Sequence, residues 1–191
     1  MSQAATPHSN DRARQRDTHS IRSLDDLAKL SADELPSLYA EAGTPKGLHE
    51  LDGDLVGRML AVRGTGRGLL LKGLSAFARG KGFPWAGKSF ASKDAKTGTG
   101  INRVVLGGRH RLFPFRTHLG PSVVDGGPAV VLDYGDPDNP GFIRAIHDEV
   151  REIAPGLFFG PACWKGAGGK TTVILWFALD ARGVARGVRA S

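Results

Sequence analysis

Hydrophobic and polar positions follow two different periods along this chain, and the change of period divides it. Over residues 21–42 apolar side chains recur every three or four positions: Leu24, Leu27 and Leu30 follow Ser23, while Leu35 and Leu38 follow Ser31-Ala32-Asp33-Glu34. A serine cap and a capping-box pattern ahead of such runs predict short helices. The helical reading extends to about residue 60, although 51–62 also fits a first strand. From Leu69 the apolar runs shorten to strand length and are separated by glycines. Within 111–119, Phe113, Phe115, Thr117 and Leu119 share one face while Arg116 and His118 share the other, the period of a half-buried strand. Asp125-Gly126, between Val124 and Pro128, predicts a hairpin turn.

Residues 129–179 read as one unit. The β-branched run 129–134 predicts a strand, and Asn139-Pro140 offers an N-cap side chain followed by a residue suited to the first helical turn. Phe142, Ile143, Ile146, Val150 and Ile153 then fall at helical spacing, with Arg144, Asp148, Arg151 and Glu152 on the remaining surface, so a helix over 140–153 is predicted, ending at Pro155-Gly156. Strands at 157–164 and 171–179 flank the glycine-rich turn 166–169. Several short strands joined by hairpins, with one inserted helix, predict an α+β fold: a small antiparallel β-barrel or strongly curved sheet with one packed helix and an N-terminal helical segment. The expected organisation is a polar tail over 1–20, one globular domain over 21–180 and a basic tail over 181–191.

Composition narrows the setting. The 191 residues fit one domain, and 40% hydrophobic residues supply a core. Cys163 is the single cysteine, so an intramolecular disulfide and a multi-cysteine zinc site are excluded, and the six histidines lack metal-ligand spacing. Neither a signal-peptide core nor a run approaching ~18 apolar residues occurs, so the expectation is a cytoplasmic protein without a membrane span. The formal charge is +7, and it is concentrated: residues 46–116 carry fourteen Lys/Arg against four Asp/Glu. That block fits either a solvated basic face or a surface for an anionic partner such as nucleic acid.

Residues 82–89, Gly-Phe-Pro-Trp-Ala-Gly-Lys-Ser, satisfy the spacing of a phosphate-binding P-loop, with Asp133 on an apolar strand as the corresponding acid. The bulk of Phe83 and Trp85 and the missing N–H of Pro84 argue against a phosphate cradle. Lys81-Gly82-Phe83 with Trp85 also resembles the start of a base-stacking strand, with Lys88, Lys93 and Lys96 at hand for phosphates. Aromatic core residues beside a basic turn explain the same text. Catalysis finds one candidate, Asp133, whose carboxylate would be held at raised pKa if buried on its apolar strand. His147 is read as a helix-surface residue beside Arg151.

Trp85-Ala86-Gly87-Lys88-Ser89-Phe90 resembles the Trp-x-Gly-Lys-x-Phe core of the uncharacterised bacterial GXWXG-type proteins. Leu132-Asp133-Tyr134, the helical pattern that follows, Gly156 to Gly160 and Phe177-Ala178-Leu179 stand in comparable places, so the resemblance spans 83–179. Phe83 replaces the first glycine of the name-giving motif, and Asp133-Tyr134 reverses a Tyr-Asp order. The resemblance implies a small lipocalin-like β-barrel and no defined activity.

Together these features predict a binding protein for a small, largely apolar ligand, with Trp85, Phe90, Phe113, Phe115, Tyr134, Trp164 and Trp176 lining its site. Lys88, Asn102 and Arg103 are the expected polar anchors, suited to an anionic headgroup. Two alternatives accompany this reading: a nucleic-acid-binding module using the 46–116 surface, and an enzyme acting on a ligand held in the barrel. No cofactor and no metal is expected.

Overall fold

The computed structural model describes residues 21–62, 85–105 and 107–183. Eight antiparallel strands close into a barrel in which each pairs with its sequence neighbours and the last returns to the first. They are β1 (Gly53–Val62), β2 (Trp85–Ser92), β3 (Thr97–Val105), β4 (Arg109–Pro121), β5 (Pro128–Asp133), β6 (Ile146–Ala154), β7 (Leu157–Lys165) and β8 (Thr171–Asp180). Two short helices, α1 (Leu24–Ala28) and α2 (Leu35–Glu41), precede a 3-10 turn at Leu48–Leu51, and α3 (Gly141–Arg144) interrupts the path from β5 to β6. Closure leaves the sheet no free edge to protect.

Local chemistry explains the helical start. The Ser23 side chain accepts the Asp26 N–H at the head of α1, and the Glu34 carboxylate reaches back to the Ser31 N–H at 2.8 Å. The helical stretch then ends earlier than its pattern suggested: β1 occupies 53–62 as a ten-residue strand.

Two apolar layers hold the molecule together. Leu55, Phe90, Phe115, Val130, Leu132, Tyr134, Val150, Phe158, Phe177 and Leu179 fill the barrel interior. A second layer lies on the outer wall, where Leu157, Phe159, Trp176 and Ala178 are covered by Leu27, Leu35 and Tyr39. Tyr39 meets Phe159 and Trp176 edge-on, at 5.9 and 5.5 Å between ring centroids. Trp176 therefore belongs to the seam under α1 and α2, not to the interior site for which it was a candidate.

The predicted helix over 140–153 is corrected. Only Gly141–Arg144 is helical, and Ile146–Ala154 is a strand paired with β5 and β7. Asn139 does not cap the helix; its side-chain amide donates to the carbonyls of Pro114 (2.7 Å) and Tyr134 (3.0 Å), pinning the loop before it. On β6 the residues 146, 148 and 150 share one face and 147, 149 and 151 the other. Buried polar residues on both faces hide the alternation that marks a strand.

The two ends of the barrel differ. At the end where β1 begins and β8 finishes, Leu48 and Leu51 of the 3-10 turn enter the interior core, and the Leu48 N–H donates to the Ala95 carbonyl at 3.1 Å. At the opposite end Trp85, Phe113, Ile146, Trp164 and Leu175 pack on the core while only partly buried. The loop carrying α3 folds over part of this end and sends Ile143 inward.

Candidate functional site

Just below the half-buried rim, the apolar interior holds a polar cluster. Lys88 of β2 and Asp148 of β6 face each other across the barrel, only 3% and 4% exposed. The Lys88 ammonium donates to Asp148 Oδ2 at 2.9 Å, Asn102 Oδ1 at 2.8 Å and Tyr134 Oη at 2.6 Å. The Tyr134 hydroxyl donates in turn to Asp148 Oδ2 at 2.9 Å. Asn102 gives its amide hydrogens to Tyr134 Oη (3.1 Å) and the Phe113 carbonyl (3.3 Å), and its Oδ1 also accepts the Trp85 indole N–H at 3.1 Å. Rings of Trp85, Phe115, Tyr134 and Phe177 surround the ammonium at 5.1 to 5.5 Å from their centroids.

Irregularities in the strands aim these groups. In an unbroken strand Trp85 and Lys88, three positions apart, face opposite sides. The β2–β3 register shifts between Trp85 and Gly87, which brings both side chains inside. Gly87 has φ +128° there, and a Cβ on it would meet the Leu55 carbonyl oxygen at 2.0 Å, so glycine is required. A second shift, between Ile101 and Asn102 of β3, lies opposite Phe113, a non-glycine residue at φ +60°. Its turned-in carbonyl is the one that Asn102 engages.

Burial pushes the Lys88 ammonium below the ordinary lysine range, with the charge and hydrogen bond of Asp148 pulling the other way. Burial and the neighbouring Asp148 carboxylate raise the Tyr134 hydroxyl well above the usual tyrosine range, so it stays a donor. Every donor of the cluster is engaged. Among the described residues three buried side-chain polar atoms lack a partner: Arg103 Nε, Trp176 Nε1 and Asp148 Oδ1. Of these only Asp148 Oδ1 is an acceptor, and it alone belongs to the interior cluster.

The structure thus gathers Lys88, Phe90, Asn102, Phe115 and Tyr134 in the interior, with Trp85, Phe113 and Trp164 at the rim. Arg103 is placed elsewhere: its guanidinium bonds the Leu55 carbonyl and pairs with Asp54 at 3.7 Å. Asp133 faces outward with a side chain 42% exposed and Lys165 at 3.5 Å, which corrects the expectation of a buried carboxylate there. The interior carboxylate is Asp148, read from the sequence as helix surface. With Lys88 and Trp85 turned inside, two residues expected on a nucleic-acid-binding surface are withdrawn from it, while Lys81, Gly82 and Phe83 lie outside the described residues.

A second polar cluster sits under α2 on the outer wall. Glu149 is fully buried; it accepts the Tyr39 hydroxyl at 2.9 Å and the Val123 N–H at 2.7 Å, and meets His147 Nε2 at 2.8 Å. Burial opposes its ionisation, but hydrogen bonds from His147, Ser122, Val123 and Tyr39 outweigh it and hold the carboxyl below its usual range. Arg151 forks onto Asp125 (2.6 and 2.8 Å) and bonds the Tyr39 carbonyl at 2.8 Å. These bonds clamp α2 to the barrel. Among the described residues no group of three or more His, Cys, Asp or Glu is placed to hold a metal ion, and no helix is long and apolar enough to cross a membrane.

No protein-family model matches the sequence, and no curated protein does. A crystal structure of a protein from Thermomonospora curvata is similar in fold, with TM-score 0.52 and 19% identity over 88% of this chain and 97% of that one. The likeness shows a shared fold.

Proposed function

We propose that this is a cytoplasmic binding protein that holds a small, largely apolar molecule in the barrel, entered through the end rimmed by Trp85, Phe113, Ile146, Trp164 and Leu175. The observation that carries the proposal is the contrast, among the described residues, between the ends: one plugged by Leu48 and Leu51, the other lined by apolar side chains that stay partly exposed above a polar cluster. Aromatic walls with a few fixed polar groups are what small-molecule sites use, and eight-stranded barrels are wide enough to hold one small ligand. The likeness of Trp85 to Phe90 to the GXWXG-type core supports a lipocalin-like reading, and this segment supplies Trp85 and Lys88.

Titration with Nile red, a neutral dye without hydrogen-bond donors, tests the proposal. Saturable one-to-one binding with blue-shifted emission is expected. Ile146→Arg, at the rim, should weaken it at least about tenfold, roughly 1.4 kcal/mol. Val56→Arg, at an outer position 52% exposed, should leave it unchanged. Non-saturable binding, or equal loss in both variants, overturns the reading.

A further inference from the structure

We infer that the molecule taken by the barrel is a neutral hydrogen-bond donor, an alcohol with an apolar body, whose hydroxyl donates to Asp148 Oδ1. The inference rests on the binding role proposed above and specifies its ligand. It follows from counting hydrogen-bonding capacity. Lys88 spends three N–H groups, Tyr134 its single O–H, Asn102 both amide hydrogens and Trp85 its indole N–H, all within the cluster. Asn102 Oδ1 accepts twice, Tyr134 Oη accepts twice, and Asp148 Oδ2 accepts twice. What remains is the second carboxylate oxygen, buried and unpartnered.

An incoming group can therefore be read only as a donor. A carboxylate or phosphate headgroup, the occupant suggested by Lys88 alone, would find no free N–H or O–H and would face Asp148 itself. A cationic amine would enter beside the Lys88 ammonium, whose charge Asp148 already balances at 2.9 Å. A neutral hydroxyl meets neither objection. It also supplies the bond whose absence leaves a buried acceptor unsatisfied, a situation native interiors seldom tolerate. Ile146 shares the interior face of β6 with Asp148 and pairs with Trp164 on the adjacent strand β7 at the rim, so access to Oδ1 runs past these two half-buried side chains.

Competition against Nile red on the full chain at pH 7 decides between these occupants, using 1-octanol, methyl octyl ether, octanoate and octylammonium as ligands with one common tail. Octanol should displace the dye at a concentration ten- to a hundredfold below the ether, the range expected for one hydrogen bond to a charged acceptor. Octanoate and octylammonium should be weaker than octanol. In the double variant Lys88→Met with Asp148→Leu, which leaves only neutral acceptors on Asn102 and Tyr134, the octanol-to-ether ratio should fall below about tenfold. Parity of octanol and ether in the natural protein, preference for either ion, or a ratio that persists in the double variant would overturn the inference while leaving the proposed binding role standing. Failure of Nile red itself to bind saturably would remove the proposed binding role and the inference with it.

Discussion

The Lys88–Asp148 pair makes a quantitative forecast independent of any ligand. At 2.9 Å and an effective dielectric constant of ~20, Coulomb's law gives about 6 kcal/mol of attraction, most of it needed to offset taking both charges out of water. Asp148→Asn keeps the size and one acceptor but strands the ammonium among four aromatic rings. Removing one partner of a buried pair costs about 3–5 kcal/mol, which for a chain of this length lowers Tm by roughly 6–20 °C. The double variant Lys88→Met with Asp148→Leu removes both charges and should recover most of that loss, short of the natural protein by about 1–3 kcal/mol for the Tyr134 hydroxyl left without its acceptor. A pH dependence accompanies the single variant. Because burial already holds Lys88 below its unfolded value, and loss of Asp148 lowers it further, the folded form binds fewer protons than the unfolded chain between those two values. Stability of Asp148→Asn should therefore climb as pH rises toward the unfolded cysteine value of about 8.5, by at most about 1.4 kcal/mol per pH unit. The Cys163 thiol, raised by burial, opposes the trend above its unfolded value of about 8.5, and Tyr39 and Tyr134, raised likewise, oppose it above about 10. Urea unfolding followed by tryptophan fluorescence at several pH values measures all of this. A single variant within 1 kcal/mol of the natural protein, a flat pH profile, or a double variant as unstable as the single would refute the assignment of a buried ion pair.

Two further substitutions and one control probe the supporting structure. Tyr39→Phe removes the O–H that Glu149 Oε2 accepts and should cost about 1–3 kcal/mol. Since the folded Glu149 carboxyl is depressed, its stabilisation is present above the unfolded value and lost as pH falls through the folded one, so the variant's acid-unfolding midpoint, followed by circular dichroism, should move to higher pH. Gly160→Ala would place a Cβ 1.8 Å from the Glu149 carbonyl oxygen and force β6 and β7 apart, a loss of at least about 1–3 kcal/mol, whereas Gly43→Ala meets nothing within 4 Å and should leave the thermal midpoint nearly unchanged.

The strands β4, β5, β7 and β8 were legible because their apolar residues alternate or run between glycine turns. The Asp125-Gly126 turn stands where its sequence placed it, with Gly126 at φ +77°. What escaped is instructive in physical terms. The strand β6 reads Ile-His-Asp-Glu-Val-Arg-Glu-Ile-Ala. Its interior face would show apolar residues at 146, 148 and 150, but position 148 is the aspartate that neutralises Lys88. Its outer face is polar too, yet buried, because His147, Glu149 and Arg151 anchor α2. With Asp148 breaking the two-residue period, Ile143, Ile146, Val150 and Ile153 survive as an apparent helical stripe.

The same cause displaced the candidate carboxylate. A search for a buried acid looks for one carboxyl on an apolar strand, which selects Asp133, whose strand is apolar and buried on both faces from Ala129 to Leu132. Asp133 itself faces outward. A charged residue that enters a barrel does so on a strand that has lost its apolar alternation at that position, so pattern reading passes over it. Lys88 was recognised only because Trp85 and Gly87 flank it, and the bulge that turns Trp85 and Lys88 to the same side is invisible to a rule of strict alternation. Local consistency fails where the interior is polar, and natural proteins break such rules chiefly at sites of function or strain. Here both misread features, β6 and the β2 bulge, meet at one pair of atoms, Lys88 Nζ and Asp148 Oδ2.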